Sequence, residues 1–218
     1  MNSVPLPKDW RKLYTAVLSD SLDAIGHMRQ AMSPAIRPLD DRLLLCGRAR
    51  TGMYMEIAEV QQDKQYELEI KLVDDLKPGE VAVIACGGST QIAPWGSLLT
   101  TAARARGAAG CVTDGFVRDI VGIRALGWPV FHGGIAPLDS KGRGRIMAID
   151  VAVTCAGARV APGDLVVGDA DGVVVVPKAV EDQVLRLAFD KINSESSSME
   201  DLKAGAFLRD VFARYGVL

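Results

Sequence analysis

The middle of the chain alternates between strand-like and helix-like segments, and this alternation constrains the fold more than any other feature. An apolar strand over residues 80–86 is followed by an Ala- and Leu-rich helix over residues 97–106. A short strand over 110–113, a short helix over 119–126 and a strand over 128–131 continue the pattern. Parallel strands are joined by helical, right-handed crossovers of this kind. We therefore predict an α/β fold with a parallel βαβαβ core.

The segments around this core are predicted from apolar spacing and turn residues. Helices are expected over residues 8–25, 63–76 and 180–194, with a break at 196–198 before a final helical stretch to Tyr215. Strands are expected over residues 43–46, 49–54, 146–154, 165–167 and 172–176. Because neither a linker nor a repeat separates these segments, residues 1–218 are predicted to form a single domain whose C-terminal helical extension covers residues 180–218.

The composition argues against several classes of function. There are 25 Lys and Arg residues against 27 Asp and Glu, a balance that argues against binding nucleic acid through its phosphates. No apolar stretch approaches the roughly 20 residues that span a bilayer, and the N-terminus lacks a secretory signal. A cytoplasmic protein without membrane contact is therefore expected. The four cysteines lie far apart in apolar surroundings, which predicts buried free thiols rather than a zinc site.

Two loops at predicted strand ends carry the candidate site residues, because α/β sheets bind ligands at the carboxyl ends of their strands. The first loop, residues 87–99, runs into a helix N-terminus. Free backbone N–H groups at such a terminus can bind a small carboxylate or a phosphate. A glycine turn that serves only packing is the alternative interpretation of this loop.

The second loop, residues 114–119, contains Arg118 beside Asp119. The planar guanidinium of Arg118 could hold the carboxylate of a keto acid with two hydrogen bonds, and Asp119 could hold Mg²⁺ or Mn²⁺. A solvated ion pair or a helix start is the alternative for this pair. Asp114 is expected to cap or orient the loop rather than to bind the metal directly.

One block of the sequence carries a family resemblance. It comprises Gly96-Ser97-Leu98-Leu99, the run AARARGAAGCVTDGFVRD from Ala102 to Asp119, and GWPVF from Gly127 to Phe131. In these motifs the chain resembles the RraA-like family, which includes the regulator of ribonuclease E activity and the class II 4-hydroxy-4-methyl-2-oxoglutarate aldolases. Some members are labelled dimethylmenaquinone methyltransferase-like, but no Rossmann-type GxGxG motif supports a methyltransferase here. The resemblance extends over nearly the whole chain, through residues 19–26, 162–164, 168–172 and 214–218.

The resemblance implies a swivelling-type α/β/α domain that assembles as a homotrimer, sometimes as a hexamer. In the aldolase branch it implies that the pyruvoyl end of a 2-oxo acid is bound by the side chain of Arg118 and by the backbone of Gly96, Ser97, Leu98 and Leu99. Asp119 would bind the divalent metal, Mg²⁺ or Mn²⁺. Glu195 from a neighbouring subunit would approach the metal's water ligands, with a solvated helix end as the alternative.

Two positions depart from the aldolase pattern. The acidic residue that stands 21 positions before the arginine is Ser97 here, and the acidic residue three places after the Arg-Asp pair is Gly122. Because Ser97 cannot accept a proton at neutral pH, cleavage that starts from a 4-hydroxyl is disfavoured, whereas oxaloacetate has no such hydroxyl. The expected function is a divalent-metal-dependent lyase on small 2-oxo acids, with oxaloacetate decarboxylation retained better than aldol cleavage. The alternative is a non-catalytic regulator that binds a protein partner.

Overall fold

A computed structural model describes residues 5–58 and 65–216, in which ten strands and six α-helices follow one another. The strands are β1 (Arg37–Pro38), β2 (Leu45–Glu56), β3 (Glu80–Ala85), β4 (Gly110–Val117), β5 (Val130–Ile135), β6 (Gly144–Ile149), β7 (Val153–Cys155), β8 (Ala158–Val160), β9 (Leu165–Asp169) and β10 (Gly172–Val176). The helices are α1 (Thr15–Asp23), α2 (Glu67–Asp74), α3 (Ser97–Ala105), α4 (Ile120–Leu126), α5 (Glu181–Lys203) and α6 (Leu208–Tyr215).

The main sheet is mixed, with a parallel centre. Its order is β1-β5-β4-β3-β2-β9-β10, and β6 pairs with the second half of β2. Strands β2, β3, β4 and β5 run parallel to one another, and α2, α3 and α4 connect them in turn. The predicted parallel βαβαβ core and the α/β fold class are therefore confirmed. Strands β7 and β8 form a separate antiparallel pair.

The main sheet nearly closes on itself through the segment that precedes β2. At one edge, the N–H of Met32 donates to the carbonyl of Val173 in β10 over 2.9 Å. At the other edge, the N–H of Leu39 donates to the carbonyl of Val130 in β5 over 2.8 Å. The same short segment thus covers both edge strands, which leaves few unpaired backbone groups at either edge.

Strand β3 shows how the two faces of the sheet are filled. Successive side chains of a strand point to opposite faces. Val81 and Val83 therefore join the inner core with Phe131, whereas Ala82 and Ile84 join the core beneath α2, α3 and α4. Because both faces of β3 are buried, its sequence is a continuous apolar run. A third apolar cluster packs α1 and α5 against β9 and β10.

Several predicted boundaries are wrong. The first helix begins at Thr15 instead of residue 8, because Tyr14 is extended. The two strands expected over 43–46 and 49–54 form the single strand β2, whose Gly47 does not interrupt it. A Cβ at Gly47 would lie 2.6 Å from the carbonyl oxygen of Gly79, so the glycine allows close packing of neighbouring backbones. The strand expected over 146–154 is divided between β6 and β7.

The C-terminal helices are divided at a different place from the one predicted. Helix α5 continues through the serine run, where Ser196 Oγ donates to the carbonyl of Ile192 and Ser198 Oγ to that of Ser194. These bonds satisfy the hydroxyls inside the helix. The chain turns instead at Gly205, whose φ of +92° favours glycine. The predicted break at residues 196–198 is therefore wrong.

Two predictions from composition can be compared with the described residues. The four cysteines Cys46, Cys86, Cys111 and Cys155 are buried free thiols, as expected. Among the described helices, none combines the length and the apolar character that crossing a membrane requires.

Candidate active site

The predicted site residues meet where the end of β4 lies beside the segment that enters α3. Trp95 and Val117 form a parallel bridge, and the N–H of Arg118 donates to the carbonyl of Trp95 over 3.0 Å. Strand β4 extends to Val117 rather than ending at residue 113, because Phe116 and Val117 pair with β5. In addition, the N–H of Phe116 donates to the carbonyl of Ile92. The residues after Trp95 are thereby held next to the Arg-Asp pair, around a cavity of about 350 Å³.

Arg118 and Asp119 form the exposed wall of this cavity, and Ser97 adjoins that wall through its hydrogen bond to Asp119. Ser97 Oγ donates to Asp119 Oδ2 over 3.2 Å, and the Ser97 N–H lies 3.4 Å from the same oxygen. Arg118 Nη2 lies 3.8 Å from Asp139 Oδ1, and both side chains are about two-fifths exposed. Asp119 has a left-handed backbone, with φ of +58°, directly before α4. Such a conformation is uncommon outside glycine but is tolerated by aspartate.

Two glycines shape the exposed wall. A Cβ at Gly96 would lie 2.9 Å from Asp119 Oδ2 and 3.3 Å from Arg118 Cγ, so a side chain there would displace the pair. A Cβ at Gly122 would lie 3.2 Å from Ser97 Cβ. The two positions at which the aldolases carry acidic residues are therefore neighbours in space, and both hold small residues in this chain.

Glu69 forms the buried wall of the cavity, with the Tyr54 hydroxyl bonded to its carboxyl, and the sequence did not reveal it. Glu69 lines the same cavity as Arg118 and Asp119, although only 6% of its surface is exposed. The hydroxyl of Tyr54 donates to Glu69 Oε2 over 3.4 Å. Burial raises the pKa of Glu69 to about 7; the Tyr54 hydrogen bond and the charge of Arg118 act in the opposite direction, whereas Asp139 adds to the rise.

A pattern in the sequence could have identified Glu69. It shares a helical spacing of i, i+3, i+4 and i+7 with Leu72, Val73 and Leu76, all of which are buried. Residues at this spacing lie on one face of a helix. A single acidic residue on an otherwise apolar face indicates a buried carboxyl with a specific role.

Asp119 is the residue whose position fits a hard divalent cation. Mg²⁺ commonly takes only one or two protein carboxylates and keeps several water ligands. Residues 5–58 and 65–216 contain no cluster of three His, Cys, Asp or Glu side chains that would hold a metal by themselves. Asp119 would therefore hold such an ion together with water, which agrees with its half-open position beside Ser97.

Glu195 lies outside this cavity within its own chain. Its carboxylate on α5 accepts a hydrogen bond from the Tyr14 hydroxyl and lies 3.8 Å from Lys191 Nζ. The role expected for Glu195 concerns the site of a neighbouring subunit, and it stays a prediction.

Asp114 has a structural environment. One carboxylate oxygen accepts the N–H of Cys86 over 2.5 Å, and the other accepts the N–H of Ala156 over 3.2 Å. Asp114 thereby connects the end of β3 to the β7–β8 turn, beside a second cavity. With both oxygens bonded to backbone, this carboxylate orients the loops rather than facing the Arg118 cavity.

Comparison with known proteins identifies the family of this chain. The family model described as RraA-like, Aldolase/RraA, matches residues 15–175. A Halalkalibacterium halodurans protein named "Putative 4-hydroxy-4-methyl-2-oxoglutarate aldolase" is 37% identical over 84% of this chain and 81% of its own length. A Pseudomonas putida protein of the same name is 32% identical over 76% of this chain and 96% of its own length.

A solved structure gives the same result at the level of the fold. Streptomyces coelicolor RraAS2, described as an unusual member of the RNase ES inhibitor RraA protein family, superposes with a TM-score of 0.79. The two sequences are 31% identical, and the alignment covers 89% of this chain and 97% of RraAS2. The chain belongs to the RraA-like family.

Proposed function

We propose that this chain is a lyase that releases pyruvate from small 2-oxo acids with the help of Mg²⁺ or Mn²⁺, and that oxaloacetate decarboxylation is the reaction it performs best. One observation carries the proposal: Arg118 and Asp119 line a single cavity together with Gly96, Leu98 and Leu99 at the start of α3. The names of the relatives support a lyase. The assembly proposed with it is a homotrimer or a hexamer.

The exposed wall supplies the groups that bind the substrate. The guanidinium of Arg118 matches a carboxylate geometrically and forms two charge-assisted hydrogen bonds with it. Its ion pair with Asp139 is long and half exposed, so little energy is lost when a substrate carboxylate replaces it. The first N–H groups of a helix have no acceptor within the helix, so those of Leu98 and Leu99 can bind substrate oxygens beside the Ser97 N–H, which lies against Asp119 Oδ2.

Asp119 would hold the divalent cation, whose charge, once bound, stabilises negative charge that develops on the 2-oxo oxygen. The chain's own residues decide which bond breaks. In oxaloacetate, the bond between carbons 3 and 4 breaks, CO₂ leaves, and the electron pair forms the enolate of pyruvate. Aldol cleavage additionally requires a base for the 4-hydroxyl proton, and Ser97 cannot be that base at neutral pH. The exposed wall therefore favours decarboxylation.

The decisive experiment measures pyruvate released from oxaloacetate by the purified protein with Mg²⁺, with EDTA, and with the variant Asp119→Ala. We expect metal-dependent release above the metal-only background, lowered about 100-fold or more in the variant. Asp171→Ala, an exposed aspartate in the β9–β10 turn, is the control. Higher activity on 4-hydroxy-4-methyl-2-oxoglutarate than on oxaloacetate would contradict the preference, and no turnover from folded protein would favour a non-catalytic regulator.

A further inference from the structure

The buried wall contains a carboxyl that the proposed binding of substrate and metal leaves unused. Glu69 comes from α2, whereas the backbone groups proposed to bind substrate come from the start of α3. It lines the cavity together with Arg118 and Asp119, yet its side chain is almost fully removed from solvent. A buried carboxyl that lines a cavity beside binding groups is a candidate for proton transfer.

The surroundings of Glu69 hold it between its two protonation states near neutral pH. The titratable and charged groups that face it are Tyr54 on β2, Tyr66 before α2, Cys86 after β3, Arg118 after β4 and Asp139 after β5. Arg145 on β6 lines a separate groove with Glu67, on the adjoining side of α2. Burial outweighs the opposing contacts and brings the pKa of Glu69 to about 7, so both the acid and the carboxylate are populated.

The other groups of the cavity are less suited to this task. The guanidinium of Arg118 does not lose its proton in proteins. Asp119 is bonded to Ser97 and would be engaged by the cation, and Asp139 is half exposed beside Arg118. Burial raises the pKa of Tyr54 far above neutrality, so it remains a hydrogen-bond donor to Glu69.

We propose that Glu69 is the acid–base residue that transfers the proton at carbon 3 of the pyruvate unit, an inference that rests on the proposed function. After CO₂ leaves, the electron pair of the enolate double bond forms a new bond from carbon 3 to the proton of the Glu69 carboxyl. The Glu69 carboxylate that results regains a proton from water. In the reverse direction, the carboxylate removes a methyl proton from pyruvate and the enolate forms again.

The reverse step can be measured by itself. Pyruvate is incubated with the protein and Mg²⁺ in D₂O, and loss of the methyl proton signal is followed by NMR. We expect exchange by the wild type, a decrease of about 100-fold or more in Glu69→Gln, and partial recovery in Glu69→Asp. Glu67→Gln changes an exposed acid two residues away on the same helix and is expected to exchange like the wild type.

Two further readouts separate proton transfer from a structural role. The dissociation constant of pyruvate, measured by calorimetry, is expected to stay within about threefold in Glu69→Gln, because Arg118 and Asp119 provide the binding. The pH dependence of exchange near 7 is expected to disappear. The inference would be overturned if Glu69→Gln exchanged pyruvate protons at the wild-type rate with an unchanged pH profile. It would also be overturned if the loss of exchange were matched by an equal loss of pyruvate binding.

The proposed function fails in a different way. If the wild type neither exchanges pyruvate protons nor releases pyruvate from oxaloacetate, the lyase itself is contradicted, and the inference about Glu69 with it. If the wild type is active and the Glu69 variants exchange pyruvate protons equally fast, the lyase stands and the inference alone is overturned. Circular dichroism establishes whether each variant is folded. If Glu69→Gln does not fold, Glu69→Asp, which keeps the carboxyl, is tested in its place.

Discussion

The two walls of the cavity present acidic side chains in opposite environments. On the exposed wall, Asp119 and the nearby Asp139 are reached by water and lie close to polar or cationic partners. On the buried wall, Glu69 has the hydroxyl of Tyr54 and little else to compensate a charge. Carboxylates on the first wall can hold a cation or position an arginine, whereas the carboxyl on the second is held close to neutrality. One cavity therefore combines charged binding groups with a group that can give and take a proton.

The largest effect is expected when the exposed wall loses the guanidinium group of Arg118. Arg118→Met removes two charge-assisted hydrogen bonds to the substrate carboxylate, each worth about 1.5–3 kcal/mol. We expect kcat/KM for oxaloacetate to fall about 100- to 1,000-fold. The free energy of unfolding should change by less than about 1 kcal/mol, because the Arg118–Asp139 ion pair is long and partly exposed.

Arg124→Met is the control for this variant, since it removes an exposed arginine from α4. Its steady-state kinetics are expected to match those of the wild type. Arg118→Lys, which keeps the charge but loses the planar fork, should fall between the two. If Arg118→Met and Arg124→Met have equal activity, Arg118 does not bind the substrate.

The next effect concerns the buried wall and stability. Burial raises the pKa of Glu69 from 4.5 to about 7, so the folded state prefers the neutral carboxyl. The associated stability is present below pH 4.5 and is lost as the pH rises through 7, a loss of about 3 kcal/mol once the group is ionised. Glu69→Gln stays neutral, so its unfolding free energy should equal that of the wild type at pH 4 and exceed it at pH 8.5. Urea unfolding in EDTA measures both, and equal stability at pH 8.5 would contradict the assignment.

The exposed wall could be predicted from the sequence because each of its members stands at the end of a helix or strand that a local pattern predicts. Ser97 begins α3 directly after Gly96, and Arg118 and Asp119 follow β4 directly, so helix and strand ends sufficed to place them. The fold class followed for the same reason: the alternation of residues 80–131 is a local pattern. What the alternation could not show is that β4 continues to Val117, because this depends on how far β5 extends beside it and on contacts with the segment that enters α3.

The buried wall depends on contacts between distant parts of the chain. Glu69 meets Tyr54, 15 residues earlier, and is influenced by Asp139 far downstream. The bonds of Asp114 to Cys86 and Ala156 also join separate elements. Local composition misled in α5, where a serine run favours a break but packing against α1 and internal hydroxyl bonds keep the helix continuous. The sequence therefore shows which chemical groups are present, but tertiary contacts determine their burial and their hydrogen-bond partners.

The smallest effect is expected when a side chain at position 96 displaces the carboxylate of Asp119 without removing any functional group of the exposed wall. Gly96 has an extended backbone, with φ of −151°, so alanine fits there without backbone strain. Its Cβ would nevertheless approach Asp119 Oδ2 to 2.9 Å, and the carboxylate must move. We expect Gly96→Ala to lower kcat/KM about 10-fold, since displacements of this order disturb a positioned site. Gly96→Val should lower kcat/KM further. In both variants, the rate of proton exchange per bound pyruvate should fall less than turnover, because exchange depends on the buried wall. Wild-type turnover in Gly96→Val would show that the position of Asp119 is not critical, and the division of labour between the two walls would then be wrong.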